Sequence, residues 1–325
     1  MKIYQEYPLT GIVREPEVFR TPKNIILQIL IFAAVFLVVE IAESFGMVIG
    51  VMPRLMEWAR QEIAETGNLT TEMMTEKLNT LLLDPSLTYV MLLATGLGTL
   101  TVLFFCRVIE GRKLRTLGFL KEKAGIQYLA GLGIGFLMFS AVVGLTYLCG
   151  GLQFEGYSGF SWMLLITLLG YGIQGMSEEV ICRGYFMTTV MRHHSVWLAI
   201  GLNSLFFGIM HGANAGFSLF ALINLILYAV MISLYVLRTN SLWGACAIHS
   251  IWNFSQGNFY GLPVSGIDSG DSVFRMSLNG SAFINGGDFG LEAGLPTTIV
   301  MSAVICILLF VPLPFLDRKN GEAEA

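Results

Sequence analysis

The sequence predicts an all-α fold, a polytopic integral membrane protein with eight transmembrane helices and both termini inside. Three observations predict it. Of the 325 residues, 54% are hydrophobic and only 13% are charged, against roughly a quarter charged in a soluble domain. The apolar residues gather in eight runs, near 24–50, 86–107, 125–150, 160–192, 195–212, 216–237, 240–257 and 295–316; each approaches the roughly 20 residues that cross a hydrocarbon core of about 30 Å. Lys and Arg resist translocation, and they fall mostly on one side if the N-terminus is inside: in the leader, in the loop from Arg107 to Lys123, at Arg192 and Arg238, and at Arg318 and Lys319. The opposite side holds Arg54, Arg60, Lys77 and Arg275.

Each element has its own justification. Residues 1–23 form a polar cytoplasmic segment, and the run that follows is too long for a signal-peptide core and has no clear small-residue cleavage site, so it reads as a retained helix. The outer segment 51–85 sets Leu55, Met56, Ala59 and Ile63, then Met73, Met74, Leu78 and Leu82, at helical spacing against acidic residues. It reads as amphipathic helices on the outer surface. The outer loop 258–294 is rich in Gly, Ser and Asp, which favours turns over helices. A cytoplasmic tail, 317–325, closes the chain, so that 24–316 is a single intramembrane domain with its motif core at 160–257.

Composition also excludes. A net charge of −4 with no basic block argues against a nucleic-acid partner. Cys106, Cys149, Cys182, Cys246 and Cys306 are scattered singly, without CxxC spacing, and read as packing residues rather than a disulfide framework.

Ionisable side chains at bilayer depth cost several kcal/mol unless paired or hydrated, which makes them candidates for function. The stretch GMSEEVICRGYF carries Glu178, Glu179 and Arg183 on the fourth run; FFGIMHGAN supplies His211 and Asn214 on the fifth; HSIWNF supplies His249 and Asn253 on the seventh. Helix rise puts Glu178 and His211 roughly 21 and 24 Å from the same cytoplasmic hairpin, and His249 and Asn253 at roughly 16 and 22 Å from that side. All four can meet near one level. Glu179 and Arg183 are four apart in the acid-first order that favours an ion pair, and His249 and Asn253 share a helical face. Glu178, about 100° round from Glu179, points elsewhere. One glutamate can be neutralised structurally while its neighbour stays free for chemistry.

A free carboxylate, two imidazoles and an amide in a water-accessible cavity suit peptide-bond hydrolysis, in which a base takes a proton from water and donors stabilise an oxyanion. The same residues carry a resemblance. EEVICR (Glu178 to Arg183) is similar to the EExxxR motif of the CAAX protease and bacteriocin-processing family, or Abi family, of intramembrane proteases; FGIMH (Phe207 to His211) and HSIWN (His249 to Asn253) are similar to its FxxxH and HxxxN motifs. The resemblance implies an eight-helix core and a glutamate-dependent endopeptidase of the plasma membrane, acting on a peptide or membrane-protein substrate. It implies Glu178 as the base that activates water, His211 as the residue that helps hold it, His249 and Asn253 as the oxyanion hole, and Glu179 and Arg183 as supports.

Other readings stay open. Glu178, His211 and His249 could hold Zn²⁺ with a position left for water, making a metalloprotease; the lack of HExxH and the placing of Asn253 beside His249 favour a site without metal or cofactor. A transporter would be expected to show paired broken helices or an inverted repeat, and none is evident. A non-catalytic membrane scaffold or immunity protein would keep the fold without needing all four groups at one depth. Asn203, Asn214 and Asn224 read as interhelical hydrogen-bonding residues, and His193 and His194, in the hairpin beside Arg192, as solvated.

Overall fold

A computed structural model describes residues 21–82 and 84–313. It is mostly helical. Residues 1–20 of the leader and the whole of the tail lie outside the described residues, and with them the terminal charges used for orientation other than Lys23.

Helix α1 (Ile25–Thr66) starts where Asn24 Oδ1 accepts the backbone N–H groups of Ile26 and Leu27 at 2.9 and 3.1 Å. It does not stop near residue 50 as the hydropathy suggests, but runs through Pro53 to Gly67, whose positive φ of 68° breaks it. The physical reason is phase. Val51, Leu55 and Ala59 continue one buried stripe at four-residue spacing, and α2 (Thr71–Leu82) folds back so that Leu81, with Leu87, packs on Val51 and Leu55. The first half of the outer segment is therefore an extension of α1 rather than a separate surface helix.

Next come α3 (Thr88–Phe104), continued by a π-helical turn (Phe105–Ile109), and α4 (Ala124–Leu148). Helix α5 (Met163–Glu179) passes unbroken through a π-helical stretch (Val180–Met187) into a last turn, Thr188–Met191. After the hairpin follow α6 (Val196–Met210), α7 (Leu219–Thr239) and α8 (Trp243–Phe254), the last extended by a π turn (Ser255–Phe259); a short α9 (Ala282–Asn285) precedes α10 (Leu295–Phe310). Among the described residues, four segments, 25–66, 88–109, 124–148 and 219–239, are long and apolar enough to cross a membrane, and 196–210 and 295–310 are shorter apolar helices.

Small residues let the central helices approach closely. A Cβ at Gly131 would lie 2.8 Å from the Ala247 Cβ, and one at Gly135 would lie 2.7 Å from the Ile248 carbonyl, so α4 packs backbone to backbone on α8.

The fold departs from all-α in one place. Strand β1 (Leu152–Tyr157) pairs antiparallel with β2 (Phe274–Leu278), Leu152 opposite Leu278 and Tyr157 opposite Phe274, with an irregularity between Phe154 and Gly156. The Gly-rich loop thus contains a strand as well as turns. It is fastened to the bundle by Tyr171 Oη to Ser269 Oγ at 2.6 Å and by Asn258 Nδ2, which donates to the carbonyls of Ser269 and Asp271.

The hairpin histidines are not simply solvated. The ring of His193 lies 3.1 Å from Thr21 Oγ1, and His194 Nε2 lies 3.1 Å from the Lys23 carbonyl, so both clasp the approach to α1. Burial, then the charge of Arg192, lowers the His193 pKa, as suits a neutral ring in a hydrogen bond. All five cysteines are free; Cys106, Cys182 and Cys246 are buried, while Cys149 and Cys306 face outward.

Candidate active site

The site grows from one close helix crossing. Gly175 on α5 meets Ser250 on α8 so tightly that a Cβ there would sit 2.7 Å from the Ser250 backbone nitrogen. One turn further along, this brings Glu179 to His249. His249 Nδ1 lies 2.9 Å from Glu179 Oε1, and the same oxygen takes Arg183 Nη1 at 3.1 Å. Glu179 and Arg183 are fully buried, and Arg183 also lies over the Phe207 ring, 4.5 Å from its centroid. The pair spans the junction of α5 with its π-helical stretch, a kind of irregularity that often marks functional sites.

Glu178 points the other way, into a cavity of about 230 Å³ whose wall also includes His211, His249 and Asn253. Its Oε1 accepts a hydrogen bond from Gln174 Nε2, and its Oε2 has no hydrogen-bond partner among the described residues. That oxygen lies 3.9 Å from His211 Nε2 and 3.8 Å from His249 Nε2. Both distances exceed a direct hydrogen bond.

The ring orientations follow from the outer nitrogens. His211, at the C-terminal cap of α6, has Nδ1 at 2.8 Å from the Phe207 carbonyl. A carbonyl only accepts, so Nδ1 carries the proton and, in the neutral ring, Nε2 turns a lone pair to the cavity. His249 is tied likewise through Nδ1 to Glu179, leaving Nε2 on the cavity side. Among the described residues, Asn253 makes no hydrogen bond to Glu178. Its Nδ2 donates to Gln174 Oε1 at 2.9 Å, so that Gln174 bridges the amide and the carboxylate.

Among the described residues, no three His, Cys, Asp or Glu side chains are disposed to hold a metal ion.

Comparison with known proteins bears on this region. Residues 159–255 match the family model of type II CAAX prenyl endopeptidases, Rce1-like. It is the CAAX protease family to which the three motifs point. Every motif residue, from Glu178 to Asn253, lies inside the Rce1-like segment, and the match supports a peptidase. Neither the comparison with curated proteins nor that with solved structures gives a match.

Several cavity residues are absent from the sequence reading. Gln174 lies within the Rce1-like segment, four residues before Glu178, and that spacing could have revealed it. Glu40 and Glu43 on α1 line the cavity, and their carboxyls within an apolar run were a legible signal. Glu292 and Ser265, from the outer loop, left no such signal, because nothing local says that the loop turns inward. Asn203 does join two helices, donating to Ser233 Oγ at 3.0 Å, whereas Asn214 and Asn224 both hold the outer loop, through the carbonyls of Ser265 and Glu292.

Proposed function

We propose that this chain is an intramembrane endopeptidase in which Glu178 activates water for hydrolysis of a peptide bond. One observation carries the reading: a carboxylate oxygen without a partner sits 3.8 and 3.9 Å from two imidazole nitrogens in one cavity. A water between them can hydrogen-bond to all three. Glu178 Oε2 takes one of its protons while His211 Nε2 accepts a hydrogen bond from the O–H that remains, and the oxygen attacks the scissile carbonyl. The developing oxyanion is met by the second N–H of Asn253 Nδ2 and by Nε2 of His249 when that ring carries both protons. Glu179 and Arg183 hold the His249 ring in place. No step is routed through a metal.

The reading extends to the whole chain. Helices α5, α6, α8 and α10 join the four long segments to make eight spans, both termini lie in the cytoplasm, and the protein resides in the plasma membrane, cutting a peptide or membrane-anchored protein. Prenylated CAAX tails, bacteriocin leaders and membrane-bound regulators are the substrate classes to assay.

The test is cleavage of fluorogenic peptides by detergent-purified protein, comparing wild type, Glu178→Gln and Glu179→Gln, with and without chelator. Loss in Glu178→Gln of about 10³-fold or more, indifferent to chelation, is expected. Loss on chelation, restored by Zn²⁺, would instead indicate a metalloprotease. Equal cleavage by wild type and Glu178→Gln would overturn the reading.

A further inference from the structure

The geometry points to Glu292 as a second catalytic carboxyl, the acid that protonates the departing amine; this inference rests on Glu178 being the base. Glu292 lies outside the Rce1-like segment, in a 3-10 turn (Leu291–Ala293) of the outer loop. Yet it lines the same cavity as Glu178, His211 and His249 and is only 8% exposed.

A buried carboxyl is costly unless it is held, and this one is held on one side only. Its Oε2 accepts both the Ser265 backbone N–H at 2.8 Å and the Ser265 hydroxyl at 2.6 Å. Among the described residues both hydrogen bonds to the carboxyl fall on Oε2, which leaves Oε1 free to serve the cavity that Glu292 lines. The turn that carries it is rigidly placed. Asn224 Nδ2 donates to the carbonyls of Glu292 and Gly294 at 2.8 and 3.0 Å, and Thr297 Oγ1 donates to that of Leu291 at 2.6 Å. Gly290, at φ 95°, lies so close to the Pro263 carbonyl that no side chain fits there. Such bracing is what positions a reacting group.

The chemistry needs a second proton carrier. Glu178 removes a proton as the water oxygen bonds to the carbonyl carbon, which leaves a tetrahedral oxyanion. When the C–N bond breaks, its electron pair goes to nitrogen, which must gain a proton to leave as an amine. Protonated Glu292 gives that proton through Oε1 and becomes a carboxylate. The proton held on Glu178 then returns to Glu292 through solvent and the imidazoles that line the same cavity, restoring both groups. Two carboxyls in different settings suit the division of labour: Glu178 bonds Gln174 and faces the cavity, whereas burial pushes the Glu292 carboxyl up, opposed by its Ser265 bonds and by His211 and His249.

The test compares one peptide sequence made with an amide or an ester at the scissile bond, because an alkoxide leaves with far less need of a proton than an amine does. The carbonyl oxygen of a glutamine can still accept from Ser265, so Glu292→Gln should fold. It is expected to lose about 10²-fold in kcat on the amide and less than about 10-fold on the ester. Ser265→Ala should fall in the same selective sense but by less. Glu178→Gln should fail on both substrates. Amide cleavage by Glu292→Gln at the wild-type rate, or an equal loss on both substrates, would overturn the inference while leaving Glu178 in place. Wild-type cleavage that survives Glu178→Gln would remove the underlying reading instead.

Discussion

Among the described residues lie two buried arginine–glutamate pairs, and they are built differently. Near the end of α3, Arg112 faces Glu110 at 3.4 Å and also donates to Thr116 Oγ1, the Thr116 carbonyl, Thr188 Oγ1 and Thr189 Oγ1. Its guanidinium is well supplied with acceptors. Behind the cavity wall, Arg183 gives Nη1 to Glu179, but among the described residues its Nε and Nη2 have no hydrogen-bond partner, and neither has Glu179 Oε2. Buried polar groups are normally satisfied, so an unsatisfied cluster marks a place where stability has been traded for something else. The first pair ties a loop to the last turn that follows α5 and its π-helical stretch; the second orients an imidazole beside a carboxylate with one unpartnered oxygen.

This comparison can be broken at either end. The largest effect expected is Arg112→Ala, which strands Glu110, takes the guanidinium donor away from three threonine hydroxyls and should cost about 3–5 kcal/mol. Denaturant titration in detergent would measure it, while activity per folded molecule stays near wild type. Arg183→Lys should do the opposite, keeping most of the stability but slackening the hold on Glu179 and His249, with activity falling on the order of 10²-fold. If both variants lost stability alike and kept their specific activity, the two pairs would be equivalent after all.

Gly175→Ala sharpens the point. Its Cβ must push against Ser250, so we expect a cost of about 1–3 kcal/mol and a loss of activity larger than the same strain would produce elsewhere. Asn203→Ala, which breaks the α6–α7 hydrogen bond away from the cavity, should cost only about 0.6 kcal/mol and leave activity unchanged. The smallest effect is a pH slope. Burial raises the Glu110 pKa in the folded state, with Arg112 opposing. A raised folded value means that this contribution is present at acid pH and is lost as pH rises through the folded pKa. Glu110→Gln should remove that decline, seen as a flatter plot of unfolding midpoint against pH.

The helical, apolar class was legible because composition and run length follow directly from the solvent a chain must match. So were the contact of Glu179 with Arg183, since helix periodicity brings i and i+4 together, and the grouping of Glu178, His211 and His249, since helix rise puts them near one depth. The depth arithmetic assumed unbroken α-helical rise. The π-helical stretch Val180–Met187 alters that rise without any mark in the hydropathy.

What the sequence by itself determined is local: which segments are apolar, where carboxylates and imidazoles interrupt them, and which neighbours share a helical face. Tertiary structure decided the rest. It set Asn253 on Gln174 rather than on Glu178, paired Leu152 with Leu278 in an otherwise helical fold, and turned a Gly-rich loop inward so that Glu292 lines the cavity. These contacts join residues tens to more than a hundred positions apart. No periodicity encodes them, because they depend on how close two helices can come, and at Gly175 that distance is set by the absence of a single Cβ.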